Sequence, residues 1–206
     1  IRESEQRFRE MADSSSVLVW ITDKDKQFTY FNKASLDFTG RTLEMESGKG
    51  WTEGIHPDDL NEYGKVFKNS FDKKIPFEME YRLRSINEEY LWLLDKGIPR
   101  YKGSEFAGYT GSCIDINERK KNERFLKIQY DISKTLAESD SIKEASGNLL
   151  KNICRDIGWD FGIFWFADEK NEYIKPDYFW SEDEEDINLF SELYNDSMKF
   201  SKGMGF

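Results

Sequence analysis

Gly108-Tyr109-Thr110-Gly111-Ser112-Cys113-Ile114-Asp115-Ile116 passes, with no proline or glycine at the junction, into Asn117-Glu118-Arg119-Lys120-Lys121-Asn122-Glu123-Arg124. The first nine residues are small and β-branched, as in a strand, and the next eight are charged, as at the start of a solvated helix. A strand feeding directly into a helix makes a joint. One folded unit ends at it and another begins beyond it, so a change in the first can be handed on through Asp115, Ile116 and Asn117.

Upstream, Phe77-Glu78-Met79-Glu80-Tyr81-Arg82-Leu83-Arg84 alternates apolar and charged residues, the pattern of a strand with one buried and one wet face. Asn87-Glu88 supplies a turn, Tyr90 to Lys96 a second strand, and Phe106 to Ile116 the last of the three. Before them, His56-Pro57-Asp58-Asp59-Leu60 marks a helix start. Pro57 suits the first helical position, and the two aspartates stand where the helix dipole and free N–H groups favour negative charge. The pattern predicts a helix over Asp58 to Phe71. Asn32 caps a short helix over Lys33 to Phe38 that Gly40 stops, with short helical pieces following as far as Trp51. Val17 to Thr22 and Gln27 to Phe31 form a hairpin around Asp23-Lys24-Asp25-Lys26, with Lys26 where a positive φ would suit Gly or Asn. Ile1, Phe8, Met11 and Ala12 recur at helical spacing, and Asp13-Ser14-Ser15-Ser16 ends that amphipathic helix. The sum is an α+β unit, a five-stranded antiparallel sheet with short helices on one face.

The 206 residues hold one domain of ordinary size and part of another. Aromatic residues make up 16% and supply a core despite a hydrophobic content of only 38%. A net charge of −10, with an acidic run at Glu182-Asp183-Glu184-Glu185-Asp186 read as a solvated loop, disfavours direct binding to nucleic acid or an anionic membrane. Cys113 and Cys154 fall in separate units without C-x-x-C spacing, so they read as reduced, packed thiols of a cytoplasmic protein. The apolar runs Val17 to Ile21 and Phe161 to Ala167 are far too short to span a membrane. A chain opening on Ile1-Arg2-Glu3 is expected to be a piece of a longer protein.

Several features in order carry a family resemblance: Phe8-Arg9, Ala12-Asp13, Phe38-Thr39-Gly40, Gly50-Trp51, His56-Pro57-Asp58-Asp59, Pro76-Phe77-Glu78, Glu80 to Arg84, Trp92 and Gly108-Tyr109-Thr110-Gly111. Together they resemble a PAS domain with its C-terminal PAC motif. Asp115-Ile116-Asn117-Glu118-Arg119-Lys120 is similar to the family's closing stretch, with Asn117 where Thr is usual. Lys26 and Asn87-Glu88 depart from the family's turns.

Downstream, Phe125, Ile128, Ile132 and Leu136 form a narrow apolar stripe on a charged helix. The stripe calls for a partner helix in a parallel homodimer or for packing on the second unit. A second amphipathic helix runs from Ser141 through Ile142, Ala145, Leu149, Leu150, Ile153 and Cys154 to Gly158. Asp160 to Ala167 and Tyr173 to Trp180 read as strands about a turn at Asp168 to Asn171, followed by an amphipathic Ile187 to Tyr194. With the glycine-rich Lys202-Gly203-Met204-Gly205-Phe206, this order resembles the first half of a GAF domain. The expected organisation is a PAS/PAC sensor over 1–117, a helical connector over 118–138 and an incomplete GAF-like unit over 139–206.

No catalytic or metal site is expected. His56 stands alone in a helix cap, no nucleophile triad can be built around it, and Lys202 to Gly205 lacks phosphate-loop spacing. Glu78 and Glu80 read as a solvated ladder with Arg82 and Arg84. The family's covalent flavin adduct is disfavoured because the loop around Gly48 to Trp51 has no cysteine. Histidine-ligated haem is disfavoured because Asp58 to Phe71 has no histidine. The cofactor is otherwise unknown. Trp20, Phe38, Trp51, Tyr81 and Trp92 are the candidate pocket residues, drawn from an aromatic set that reads in the first place as a filled core, because no buried polar anchor can be singled out to orient a ligand.

The resemblance implies a sensory region of a cytoplasmic multidomain signalling protein, its signal relayed through Asp115, Ile116 and Asn117 to a downstream domain in the same polypeptide. A sensor histidine kinase is the first expectation for the parent and a diguanylate cyclase the second. A small-molecule-binding module and a ligand-free dimerisation spacer remain as alternatives.

Overall fold

The structure is a computed structural model that describes residues 2–167, 173–193 and 200–201. The chain divides into two units, Ile1–Lys120 and Lys121–Phe206. In order, the first contains α1 (Arg2–Asp13), β1 (Leu18–Thr22), β2 (Phe28–Phe31), α2 (Lys33–Thr39), α3 (Leu43–Glu46), a 3₁₀ turn (Gly50–Gly54), α4 (Pro57–Lys73), β3 (Phe77–Arg84), β4 (Tyr90–Lys102) and β5 (Glu105–Asp115). The strands form one antiparallel sheet in the order β2-β1-β5-β4-β3, so the first strand lies beside the last.

Local chemistry accounts for most of these boundaries. His56 caps α4 by accepting from the Asp58 N–H, Pro57 opens the helix, and Asp58 and Asp59 occupy its first turn. The buried face of α4, Tyr63, Phe67, Ser70 and Phe71, has helical spacing. Along β3, Phe77 and Tyr81 are buried and Glu78 and Glu80 exposed. Asn32 does more than cap α2. Its side chain accepts from Val19 N at 2.9 Å and Ser35 N at 3.1 Å, and donates to Ala12 O at 2.7 Å and Val17 O at 2.9 Å. One buried amide therefore ties α1, β1 and α2 together. Lys26 and Glu88 do adopt positive φ, at 66° and 64°.

The strand expected to close at Lys96 runs on to Lys102. Beyond Gly97, β4 no longer pairs with β3, so Pro99 lies where no second ladder needs its missing N–H. Gly97 pairs with Gly111 on β5, and both lie under aromatic rings. A Cβ at Gly111 would stand 2.1 Å from the Trp20 indole, and one at Gly97 would stand 2.3 Å from the Phe77 ring. The two glycines form the floor on which Trp20 and Phe77 stack, with centroids 6.1 Å apart.

A long helix, α5 (Asn117–Glu138), begins in the first unit and continues past the division. The second unit continues with α6 (Ile142–Ile157), β6 (Phe161–Ala167), β7 (Tyr173–Ser181), α7 (Glu184–Leu193) and β8 (Phe200–Ser201), the strands forming an antiparallel sheet in the order β6-β7-β8. Ser141 and Gly158 cap α6, whose Leu150 and Cys154 pack with Trp180. The acidic run is not all loop, because Glu184, Glu185 and Asp186 form the first turn of α7, where negative charge suits a helix start. Ile1, the turn at Asp168 to Asn171, Tyr194 and the stretch Lys202 to Phe206 lie outside the described residues. Among the described residues, no helix is long and apolar enough to cross a membrane.

Candidate functional site

The inner face of the first sheet holds a buried carboxylate. Asp95 on β4 is fully shielded from solvent. Its Oδ1 accepts from the Trp20 indole N–H at 2.9 Å and its Oδ2 from the Tyr63 hydroxyl at 2.8 Å. Cys113 pairs directly opposite it on β5, and the Tyr81 hydroxyl lies 3.7 Å from the Cys113 sulfur. Burial pushes the Asp95 carboxyl up to about 6, against the pull of Trp20, Tyr63 and Cys113. Burial likewise drives Tyr63, Tyr81 and Cys113 well above their ordinary values, so all three are neutral.

Beside this cluster is a cavity of about 40 Å³ lined by Trp20, Trp51, Tyr63, Tyr81, Cys113 and Glu46, among others. Its volume suits roughly two or three waters. Glu46, from α3, is a second buried carboxylate. Desolvation raises its pKa, with Thr39 and Arg41 opposing, and Arg41 Nε lies 3.1 Å away.

The outer face carries a different construction, at the strand-to-helix joint. Trp92 on β4 accepts at its carbonyl from Ile116 N at 3.0 Å, and its own N–H donates to Asn117 Oδ1 at 3.1 Å. Asp115 Oδ1 accepts from both the main-chain and side-chain N–H groups of Asn117, at 2.7 and 2.6 Å. Ile116 is buried. The Trp92 ring lies under two cations, with the Arg82 guanidinium 5.2 Å and the Lys120 ammonium 4.8 Å from its centroid. Arg82 forks onto Asp59 at 2.8 and 2.9 Å, which holds the Asp59 carboxyl below its usual range. Glu80 pairs with Arg119 and Lys120, and these bonds hold its carboxyl low as well. The first turn of α5 is thereby fastened to β3 and β4.

The predicted pocket residues therefore divide. Trp20, Trp51 and Tyr81 line the cavity, and Phe38 packs against the same core without lining it. Trp92 belongs to the opposite face, one step out of phase with buried Leu93. A buried polar anchor does exist in Asp95. Its signal was strand phase, because it shares a face with Leu93 and Gly97. Glu78 and Glu80 pair with Lys96 and with the α5 start, not with Arg82 and Arg84. His56 is a cap whose Nε2 is 3.4 Å from Arg82, and among the described residues no acidic, cysteine and histidine cluster could hold a metal. Both cysteines are free and buried. On α5, Ile128 and Ile132 are half-buried, whereas Phe125 and Leu136 are 59% and 42% exposed.

This sheet, with its helices on one face, is the PAS fold, and residues 28–111 match that family's model. An RNA-binding light-oxygen-voltage receptor shares the fold with a TM-score of 0.53 and 16% identity over 60% of this chain and 36% of that one. The RsLOV d2 variant does so with a TM-score of 0.50 and 16% identity over 66% of this chain and 81% of its own. Among curated relatives, the uncharacterized protein y4lL of Sinorhizobium fredii is 39% identical over 125 residues, 60% of this chain and 15% of that protein. The peroxide stress-activated histidine kinase mak3 of Schizosaccharomyces pombe is 21% identical over 208 residues, 98% of this chain and 8% of its own. The probable diguanylate cyclase DgcE of Escherichia coli is 26% identical over 180 residues, 86% of this chain and 16% of its own. The chain thus spans less than a fifth of the length of each of these relatives.

Proposed function

We propose that this chain is the sensory region of a cytoplasmic multidomain signalling protein in which the PAS-fold unit controls the α5 joint. The single observation that carries this reading is the double hold on Trp92, whose carbonyl binds Ile116 and whose N–H binds Asn117. A displacement of β4 is felt at once by the residues that start α5. Asp115, Ile116 and Asn117 are the relay, and the stripe of Phe125, Ile128, Ile132 and Leu136 meets its counterpart in a parallel homodimer. The exposure of Phe125 and Leu136 supports that pairing. In this reading residues 139–206 are the N-terminal part of a GAF-like unit, and the PAC motif closes the sensor. The parent is a histidine kinase, with a diguanylate cyclase as the alternative; both kinds of protein are among the long relatives.

The test is Asn117→Ala in the full-length parent. Regulation of output is expected to be lost while the first unit stays folded. A parent regulated as before would refute the relay.

A further inference from the structure

Asp95 accepts two hydrogen bonds from two other elements, Trp20 on β1 and Tyr63 on α4, and lies directly opposite Cys113 on β5. From β3 Tyr81 and from α3 Glu46 line the cavity beside it, Glu46 being paired with Arg41. Among these described neighbours the facing groups are neutral side chains and a second carboxylate. The negative charge is therefore held by neutral hydrogen bonds alone, and a proton can replace it without stranding a buried cation. Trp92, which holds the joint, lies three positions away on the same strand.

We propose that Asp95 is a proton-operated switch acting on the α5 joint: a proton on its carboxylate weakens the hold of Trp20 and Tyr63, β4 resettles beneath those two side chains, and the movement reaches Trp92. The proton comes from water and is returned to it, with no other bond made or broken. On protonation, the Tyr63 hydroxyl can turn from donor to acceptor, whereas the Trp20 indole only donates and keeps a weaker, neutral bond. Burial raises the carboxyl to about 6, which sets the change just below neutral pH. The final step, from Trp92 to the helix, rests on the relay proposed above.

The experiment is a nuclear magnetic resonance titration of the whole 206-residue chain from about pH 4.5 to about 8. It follows the Trp20 indole N–H, assigned with Trp20→Phe, and the amides of Trp92, Ile116 and Asn117. All four are expected to move with one midpoint near 6. Asp95→Asn must abolish that midpoint, while His56→Gln and Glu46→Gln leave it in place. Should Asp95→Asn not fold, Tyr63→Phe serves, because removing a donor to the ionised form must raise the midpoint. An indole that stays flat, or a midpoint that survives Asp95→Asn or vanishes with His56→Gln, overturns the switch. An indole that titrates while the Trp92 and Asn117 amides stay still overturns its link to the joint. Coupled shifts in this titration with unchanged regulation in Asn117→Ala would count against the relay to output alone.

Discussion

Removing one oxygen atom tests how the buried carboxylate is held. Tyr63→Phe keeps a ring that is buried against Trp51, Phe67 and Tyr81 and deletes only the hydroxyl that donates to Asp95 at 2.8 Å. With Asp95 ionised, the lost bond is charge-assisted and costs about 2 kcal/mol; with Asp95 neutral, it costs about 1 kcal/mol. The two regimes lie on either side of the folded-state value of about 6. In wild type the sign follows from linkage. The ordinary carboxyl value is 3.8, so between there and about 6 the folded chain binds the proton more tightly than the unfolded chain. This group's contribution to stability is therefore greatest in acid and falls as pH rises through that window, by about 3 kcal/mol. Tyr63→Phe should steepen the fall. The assay is urea unfolding at about pH 5 and about pH 8, read at the amide of Tyr109, which is buried in the first unit and donates to Thr22 Oγ1 at 2.9 Å. A cost equal at both pH values, or larger in acid, would refute the view that this hydroxyl holds a charge.

Three further outcomes follow from the same geometry. Gly111→Ala puts a methyl 2.1 Å from the Trp20 indole, so the ring must leave Asp95, and a loss of about 3 kcal/mol should appear as a lowered thermal midpoint. Asn117→Ala removes the acceptor for the Trp92 N–H and should raise hydrogen exchange at that amide about fivefold, whereas Asn117→Thr should largely preserve it. Glu80→Gln removes the carboxylate that Arg119 and Lys120 share at a partly exposed site, so its cost should stay below about 1 kcal/mol and shrink in salt. Because Glu80 is held below its usual value, its contribution is present above the ordinary carboxyl range and is lost as pH falls through the lowered one. Helicity of residues 118–121, read from chemical shifts, should therefore differ between Glu80→Gln and wild type at neutral pH and converge in acid.

How much was legible depended on the range of the interaction. The β3 alternation from Phe77 to Arg84 and the His56-Pro57 helix start are written in neighbouring residues, and both elements form where expected. The PAS resemblance was carried by such local features in order, and the fold agrees with it. Asp95 was hidden because its partners are 75 and 32 residues away in sequence, and a charged residue in a strand reads as solvated. Trp92 failed in the opposite sense. Its aromatic character suggested a pocket, while its phase on β4 put it on the outer face, where cations cover it. Within β4, phase was the better guide than hydropathy, since Leu93 and Asp95 face in and Trp92 faces out. The helix start at Glu184 was masked by charge that read as loop, although acidic residues favour a first turn.

The most direct test of the relay is helical phase in the full-length parent. Each residue inserted after Arg124 rotates the stripe of Phe125, Ile128, Ile132 and Leu136 by about 100° relative to the joint, so seven residues return it to within about 20°. Output should be disturbed by one or two inserted residues and recovered by seven. Output indifferent to the insertions, or declining steadily with their length without recovery, would contradict a rigid helical relay from Asn117 onward.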